Sequence, residues 1–143
     1  MKVESVLPDL KKTILLDAPI HDVWNTVATS EGIAAWFMPN TFMAVVGNEF
    51  TLKSPFGLSP CKVLTVDPPY QLTFSWDTSG WWVAFELNEV DGKTEFTLTH
   101  GGWGLADEVV PKAKDTNETI HKRMDQGWEG IVYGKLRQVL GHK

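Results

Sequence analysis

Apolar and polar residues alternate along the middle of this chain and recur every three or four residues near its end. Tyr70, Leu72, Phe74 and Trp76 point one way from a single strand, while Gln71, Thr73, Ser75 and Asp77 point the other. The same parity puts Trp81, Val83, Phe85 and Leu87 on one face, then Phe96, Leu98 and His100. One apolar and one wet face is the signature of an antiparallel sheet packed on one side. Trp82, Glu86 and Glu95 fall outward by the same count. From Asp115 onward the period changes. Ile120, Met124, Trp128, Ile131, Val132, Leu136, Val139 and Leu140 predict one helix of about 25 residues beginning near Thr116. Asp115 and Glu118 stand at capping-box spacing, and Gly141 offers a natural stop.

Punctuation residues divide the rest. A first strand is expected over about Leu10–Leu16. Ala18–Pro19 then opens a helix with an apolar stripe of Ile20, Val23, Trp24 and Val27. Ser30 caps a second short helix, Glu31 to about Phe37, which Met38–Pro39 ends. Strand-and-turn signals begin near Thr41. Gly47–Asn48 turns one strand into Glu49–Lys53, and Ser54–Pro55–Phe56–Gly57 leads into another at about Leu58–Val66. Pro68–Pro69 breaks that strand before Tyr70–Asp77, and Ser79–Gly80 turns into Trp81–Val90. Asp91–Gly92 is the strongest hairpin signal, because a type I′ turn needs positive φ at both central residues. The last strand is Lys93–Gly101, and the loop Gly102–Lys114 is long enough to serve as a lid. Gly127, Gly130 and Gly134 weaken the final helix; Gly127, on the side of Met124 and Ile131, suggests a close approach to the sheet or room for a ligand.

Composition narrows the partners. A chain of 143 residues makes one ordinary domain. A net charge of −5 without a basic cluster disfavours nucleic acid. No apolar run reaches membrane-spanning length, so membrane insertion is not expected. The single cysteine, Cys61, excludes an internal disulfide and fits a reducing cytoplasm. Seven Trp and seven Phe in so short a chain offer large, flat binding surfaces.

Several phrases in fixed order then become informative: Ala18–Pro19 with Val23–Trp24, Glu31–Gly32–Ile33, Trp36–Phe37–Met38–Pro39 and Asp67–Pro68–Pro69 before Leu72–Thr73–Phe74–Ser75–Trp76. Phe85–Glu86–Leu87, Asp91–Gly92–Lys93–Thr94, Thr97–Leu98–Thr99–His100, Gly102–Trp103 and Gly127–Trp128 continue the series. From about Lys12 to Leu140 the chain resembles the family related to the C-terminal domain of the activator of heat-shock-chaperone ATPase. That family lies within the SRPBCC superfamily of START-like and birch-pollen-allergen-like proteins. The resemblance implies an α+β helix-grip fold. A curved antiparallel sheet of about seven strands would wrap a long C-terminal helix, with two short helices after the first strand. Members of the superfamily hold lipids, sterols, flavonoid-like or polyketide-like molecules between sheet and helix, and some cyclise polyketides. Fold alone does not choose among these.

The residues expected to line such a site are Trp36, Phe37, Phe74, Trp76, Trp81, Phe85, Phe96, His100, Trp103, Met124 and Trp128. His100 is the titratable group that parity sends inward, where a neutral imidazole could exchange hydrogen bonds with a ligand or carry a proton. Cys61 points inward beside an outward Lys62, as an inert buried thiol. His21, His121 and His142 have no ligand spacing to each other or to Cys61, so neither a metal nor a cofactor is expected. No phosphate loop or serine nucleophile is recognisable. The expected function is binding of an apolar small molecule. A chaperone co-regulator, a cyclase- or hydrolase-type enzyme using His100, and a fully packed core are the alternatives, and a homodimer stays open.

Overall fold

The computed structural model describes residues 6–54, 57–77, 80–110 and 114–140. Gly141, Pro55–Phe56 and Ser79 lie outside the described residues, and with them the helix stop and parts of two turns. Strand β1 (Leu10–Leu16) is followed by α1 (Ile20–Val27) and α2 (Ser30–Trp36). Strands β2 (Glu49–Ser54), β3 (Gly57–Asp67), β4 (Gln71–Trp76), β5 (Trp81–Val90) and β6 (Lys93–Gly101) form an antiparallel meander. β1 pairs with β6, giving the order β1-β6-β5-β4-β3-β2. The two helices therefore carry the chain from one edge of the sheet to the other. Asp91 and Gly92 both have positive φ, as the β5–β6 hairpin requires.

The sheet has six strands where about seven were expected, and the one before Gly47 does not form. Residues 41–46 curl on themselves instead. Val45 N–H donates to Met43 C=O, and Asn48 Oδ1 accepts from Met43 N–H. Asn40 bridges β2 opposite Leu52 and Thr41 exchanges hydrogen bonds with Thr51, after which the chain leaves the sheet. Val45 and Val46 thus end up exposed rather than in a ladder.

Alternation held along the remaining strands. Phe74, Trp76, Phe85, Phe96 and Leu98 are buried on one face, and Glu86 faces solvent. Tyr70 departs from its series and is exposed, because it closes the Asp67–Tyr70 turn ahead of β4. Trp82 points outward as counted, yet it is half-buried, its ring lying where a side chain on Gly101 would have to go. Gly32 is needed for a similar reason: a Cβ there would strike the Thr26 carbonyl where α2 crosses α1.

The C-terminal helix runs from Asn117 to Leu140 as α3 (Asn117–Gly130), a π-helical stretch (Ile131–Leu136) and α4 (Arg137–Leu140). It lies against β1 and both short helices. Its buried stripe is Ile120, Trp128, Val132, Leu136 and Leu140, while Val139 is exposed. From Trp128 on the stripe advances by four. In a pure α-helix that spacing drifts around the axis, and the wider π turn takes the drift back, so one line of side chains keeps facing the core. Inner-face Lys12 of β1 pins the helix through an ion pair to Asp125 at 2.7 Å.

Both helix caps sit one residue from the expected position. Thr29, not Ser30, accepts from Gly32 N–H, and Thr116, not Asp115, accepts from Thr119 N–H. Asp115 instead accepts from Arg123. Gly127 is exposed, with open space where a Cβ would stand, so a close sheet contact does not explain it. Gly127→Ala is expected to stabilise the fold by about 1 kcal/mol, seen as a higher urea midpoint at unchanged slope. A lower midpoint would mean that the glycine carries a role in the folded state.

Candidate functional site

β6 ends at His100 and Gly101, and Gly102, at φ +82, turns the chain sharply past Gly80. That turn drops Trp103 back over the end of the sheet. Its indole N–H donates to the His100 carbonyl at 3.0 Å. Trp76 and Trp81 are cross-strand partners on β4 and β5, and Val83 pairs with His100. Register and the Gly102 turn together therefore gather three indoles around one imidazole. Ring centroids of Trp81 and Trp103 lie 4.7 Å from that of His100, and Trp76 lies at 5.4 Å.

The helix completes the box. Trp128 Nε1–H donates to His100 Nδ1 at 3.0 Å. An indole N–H can only donate, so Nδ1 must be the bare nitrogen, and the proton of the neutral ring resides on Nε2. Nε2 is buried and has no hydrogen-bond partner among the described residues. Burial away from water, with a smaller push from His121, lowers the His100 pKa from 6.5 to about 3. At neutral pH the ring is thus an uncharged hydrogen-bond donor and a poor base. The enzyme alternative loses its proton acceptor by this chemistry, because the one lone pair that could take a proton already accepts from Trp128.

Two half-buried rings form the rim. Phe37, at the end of α2, lies 4.9 Å from Trp128 and 5.7 Å from Trp76. Trp81 lies 5.4 Å from Trp76 on the other side. Met124, one helical turn before Trp128, is also half-buried. Of the eleven expected lining residues, Trp76, Trp81, Trp103 and Trp128 meet around the His100 imidazole, and Phe37 lies on Trp76 and Trp128. Trp36, Phe74, Phe85 and Phe96 pack against one another in the deep core, each no more than 2% exposed. Trp36 spends its indole N–H on the Thr26 carbonyl of α1.

Sequence reasoning missed His121. It stacks edge-on against Trp103 at 4.8 Å and bonds the Pro8 carbonyl through Nε2. Its spacing from Met124 and Trp128, three and seven residues, was the available signal. It also borders a surface groove of about 530 Å³ between the N-terminal segment and α3. Leu7, Pro8 and Leu10 line that groove together with Asp9, Lys11, Glu118, Lys122 and Asp125, so its walls mix apolar and charged groups where the box is aromatic. Of the loop expected as a lid, Pro111–Ala113 lie outside the described residues, and the part before them is fastened at several points. Asn117 Nδ2 donates to Leu105 C=O, Glu118 N–H to Ala106 C=O and Leu105 N–H to Glu108 Oε1. A short strand pair, β7 (Val109–Val110) with β8 (Asp115–Thr116), ties it to the start of α3. Cys61 is buried behind exposed Lys62. No three His, Cys, Asp or Glu come together among the described residues, and no helix there is long and apolar enough to cross a membrane.

Known structures share this fold. The solution structure of protein BH1534 from Bacillus halodurans superposes with a TM-score of 0.88 at 48% identity, covering 94% of this chain and 98% of that one. The Aha1 dimer of Colwellia psychrerythraea gives a TM-score of 0.77 at 17% identity, covering 95% and 98%. CalU16 from Micromonospora echinospora gives 0.71 at 22% identity, covering 95% and 79%. The last two likenesses speak for the fold alone. No curated protein matches the sequence. The model of the Activator of Hsp90 ATPase homolog 1-like family matches residues 17–141, nearly the whole chain, and the protein belongs to that family.

Proposed function

We propose that this protein binds a flat, apolar small molecule, lipid-like, flavonoid-like or polyketide-like, in the aromatic box between the sheet and the C-terminal helix. The observation that carries this is the pairing of a buried floor, Trp76, His100 and Trp128, with the half-buried rings Phe37 and Trp81 above it. Rings that neither reach the deep core nor lie on the open surface are costly to keep wet and easy to replace by another flat ring. The Phe37 ring stands over Trp128 at the end of a seven-residue helix, so a change in its rotamer opens the stack without disturbing the sheet. A ligand ring takes its place.

Tryptophan emission reports on this directly, because four of the seven indoles surround His100. Titration with flavonoids, fatty acids and sterols is expected to give a saturable change for at least one class. Phe37→Ala removes the ring that the ligand must displace and should tighten binding by about fivefold, since one ring contact is worth about 1 kcal/mol beyond its area. No saturable change with any class would leave a filled core. The family name raises a contact with a heat-shock chaperone as the competing function. Stimulation of that chaperone's ATPase, with no ligand bound, would replace the proposal.

A further inference from the structure

Among the described residues, His100 Nε2 is the buried side-chain nitrogen or oxygen left without a partner. Its environment explains why the protein does not satisfy it. The indole N–H groups of Trp128 and Trp103 donate to Nδ1 and to the His100 carbonyl, and as donors they cannot accept from Nε2–H. The flanking groups are ring faces and edges of Trp76, Trp81 and Trp103, which offer at most a weak π acceptor. A buried donor in this state is a standing preference for any acceptor brought into the box. Hydrocarbon rings cannot meet it, and a second donor would be repelled.

We infer that His100 Nε2–H is the polar reading head of the site, and that it selects flat aromatic molecules carrying a carbonyl oxygen over hydrocarbons of the same shape. This rests on the binding function proposed above and adds the chemistry of the ligand to it. The tautomer makes the selection one-sided. Because Trp128 holds Nδ1 as acceptor, the ring cannot flip its proton to welcome a donor without breaking that bond. The lowered basicity keeps the head neutral, so it reads a dipole and does not recruit carboxylates through charge.

The test uses a matched pair, fluorene and 9-fluorenone, titrated into the ¹⁵N-labelled full chain and followed by NMR. Fluorenone is expected to bind about tenfold or more tightly than fluorene, the usual return for satisfying a buried donor. The His100 Nε2–H resonance should move downfield with fluorenone and stay near its free position with fluorene. In His100→Phe the preference should vanish while both probes still bind. Should that variant not fold, the Nε2–H resonance of the unaltered protein decides alone. Equal affinities with an unmoved resonance would overturn the inference and leave the binding function standing. A failure of both probes to bind, when flavonoids do, would overturn it as well, by placing flat rings elsewhere than against His100. Failure of every ligand would bring down the binding function itself.

Discussion

Trp128→Ala is expected to destabilise the protein by about 5 kcal/mol, a third or more of the roughly 5–15 kcal/mol that holds an ordinary domain folded. Trp128 is fully buried at the centre of the helix stripe, in ring contact with Phe37, Trp76 and His100. Truncating so large a ring costs roughly 3–5 kcal/mol through lost burial and the cavity left behind. Removing its N–H also strips His100 Nδ1 of its donor, leaving both imidazole nitrogens unpaired at about 1–3 kcal/mol for the new one. Trp128→Phe separates the two effects. It keeps much of the ring and loses the N–H, so about 2 kcal/mol should be lost. Urea unfolding followed by circular dichroism checks both. A loss near zero in Trp128→Ala would show that the helix does not rest on the sheet through this residue.

Stability should fall as pH drops below 6.5, by about 1.4 kcal/mol per unit, through His100 alone. The sign follows from proton counts. In the unfolded chain His100 binds a proton below 6.5, and in the folded chain only below about 3. Between those values the unfolded state holds more protons, so acid pulls the equilibrium toward it. The contribution is absent above 6.5 and complete near 3. Over the two units from 6.5 to 4.5 it amounts to roughly 2 kcal/mol, because the full slope is reached only about a unit below 6.5. Unfolding free energies of the protein and of His100→Phe, measured across this range, isolate it by difference. An identical slope in the two proteins would mean that the imidazole is not held neutral by burial.

What could be read from residues alone was whatever depends on local periodicity. The alternation from Leu72 to Leu98 assigned both faces correctly, because a strand's side chains must alternate whatever lies beyond it. The Asp91–Gly92 hairpin was fixed by its two positive φ angles. The helix from near Thr116 followed from its stripe, although the caps at Thr29 and Thr116 stood beside equally good candidates, and only backbone geometry chose between neighbours. Membership of the helix-grip family was legible in the order of short phrases, none of them specific alone. Residues 41–46 were misread because β-branched residues favour strands only when a partner strand is present, and Asn48 closes that segment on itself.

The site needed the tertiary structure. Parity sent His100 inward, yet nothing in the chain said that Trp128, 28 residues on, would reach its Nδ1 and so fix its proton. Pairing across that distance depends on where the helix crosses the sheet, which Lys12 with Asp125 and the π turn help to hold. The eleven rings and side chains expected to line one cavity were sorted into box and deep core by β-sheet register and by the turn at Gly102. The sequence by itself determined which side chains face inward, since that is a property of each element's own repeat. Which of them meet around an unsatisfied imidazole N–H was decided only by the packing of one element on another, because contact between distant residues is a property of the assembled whole.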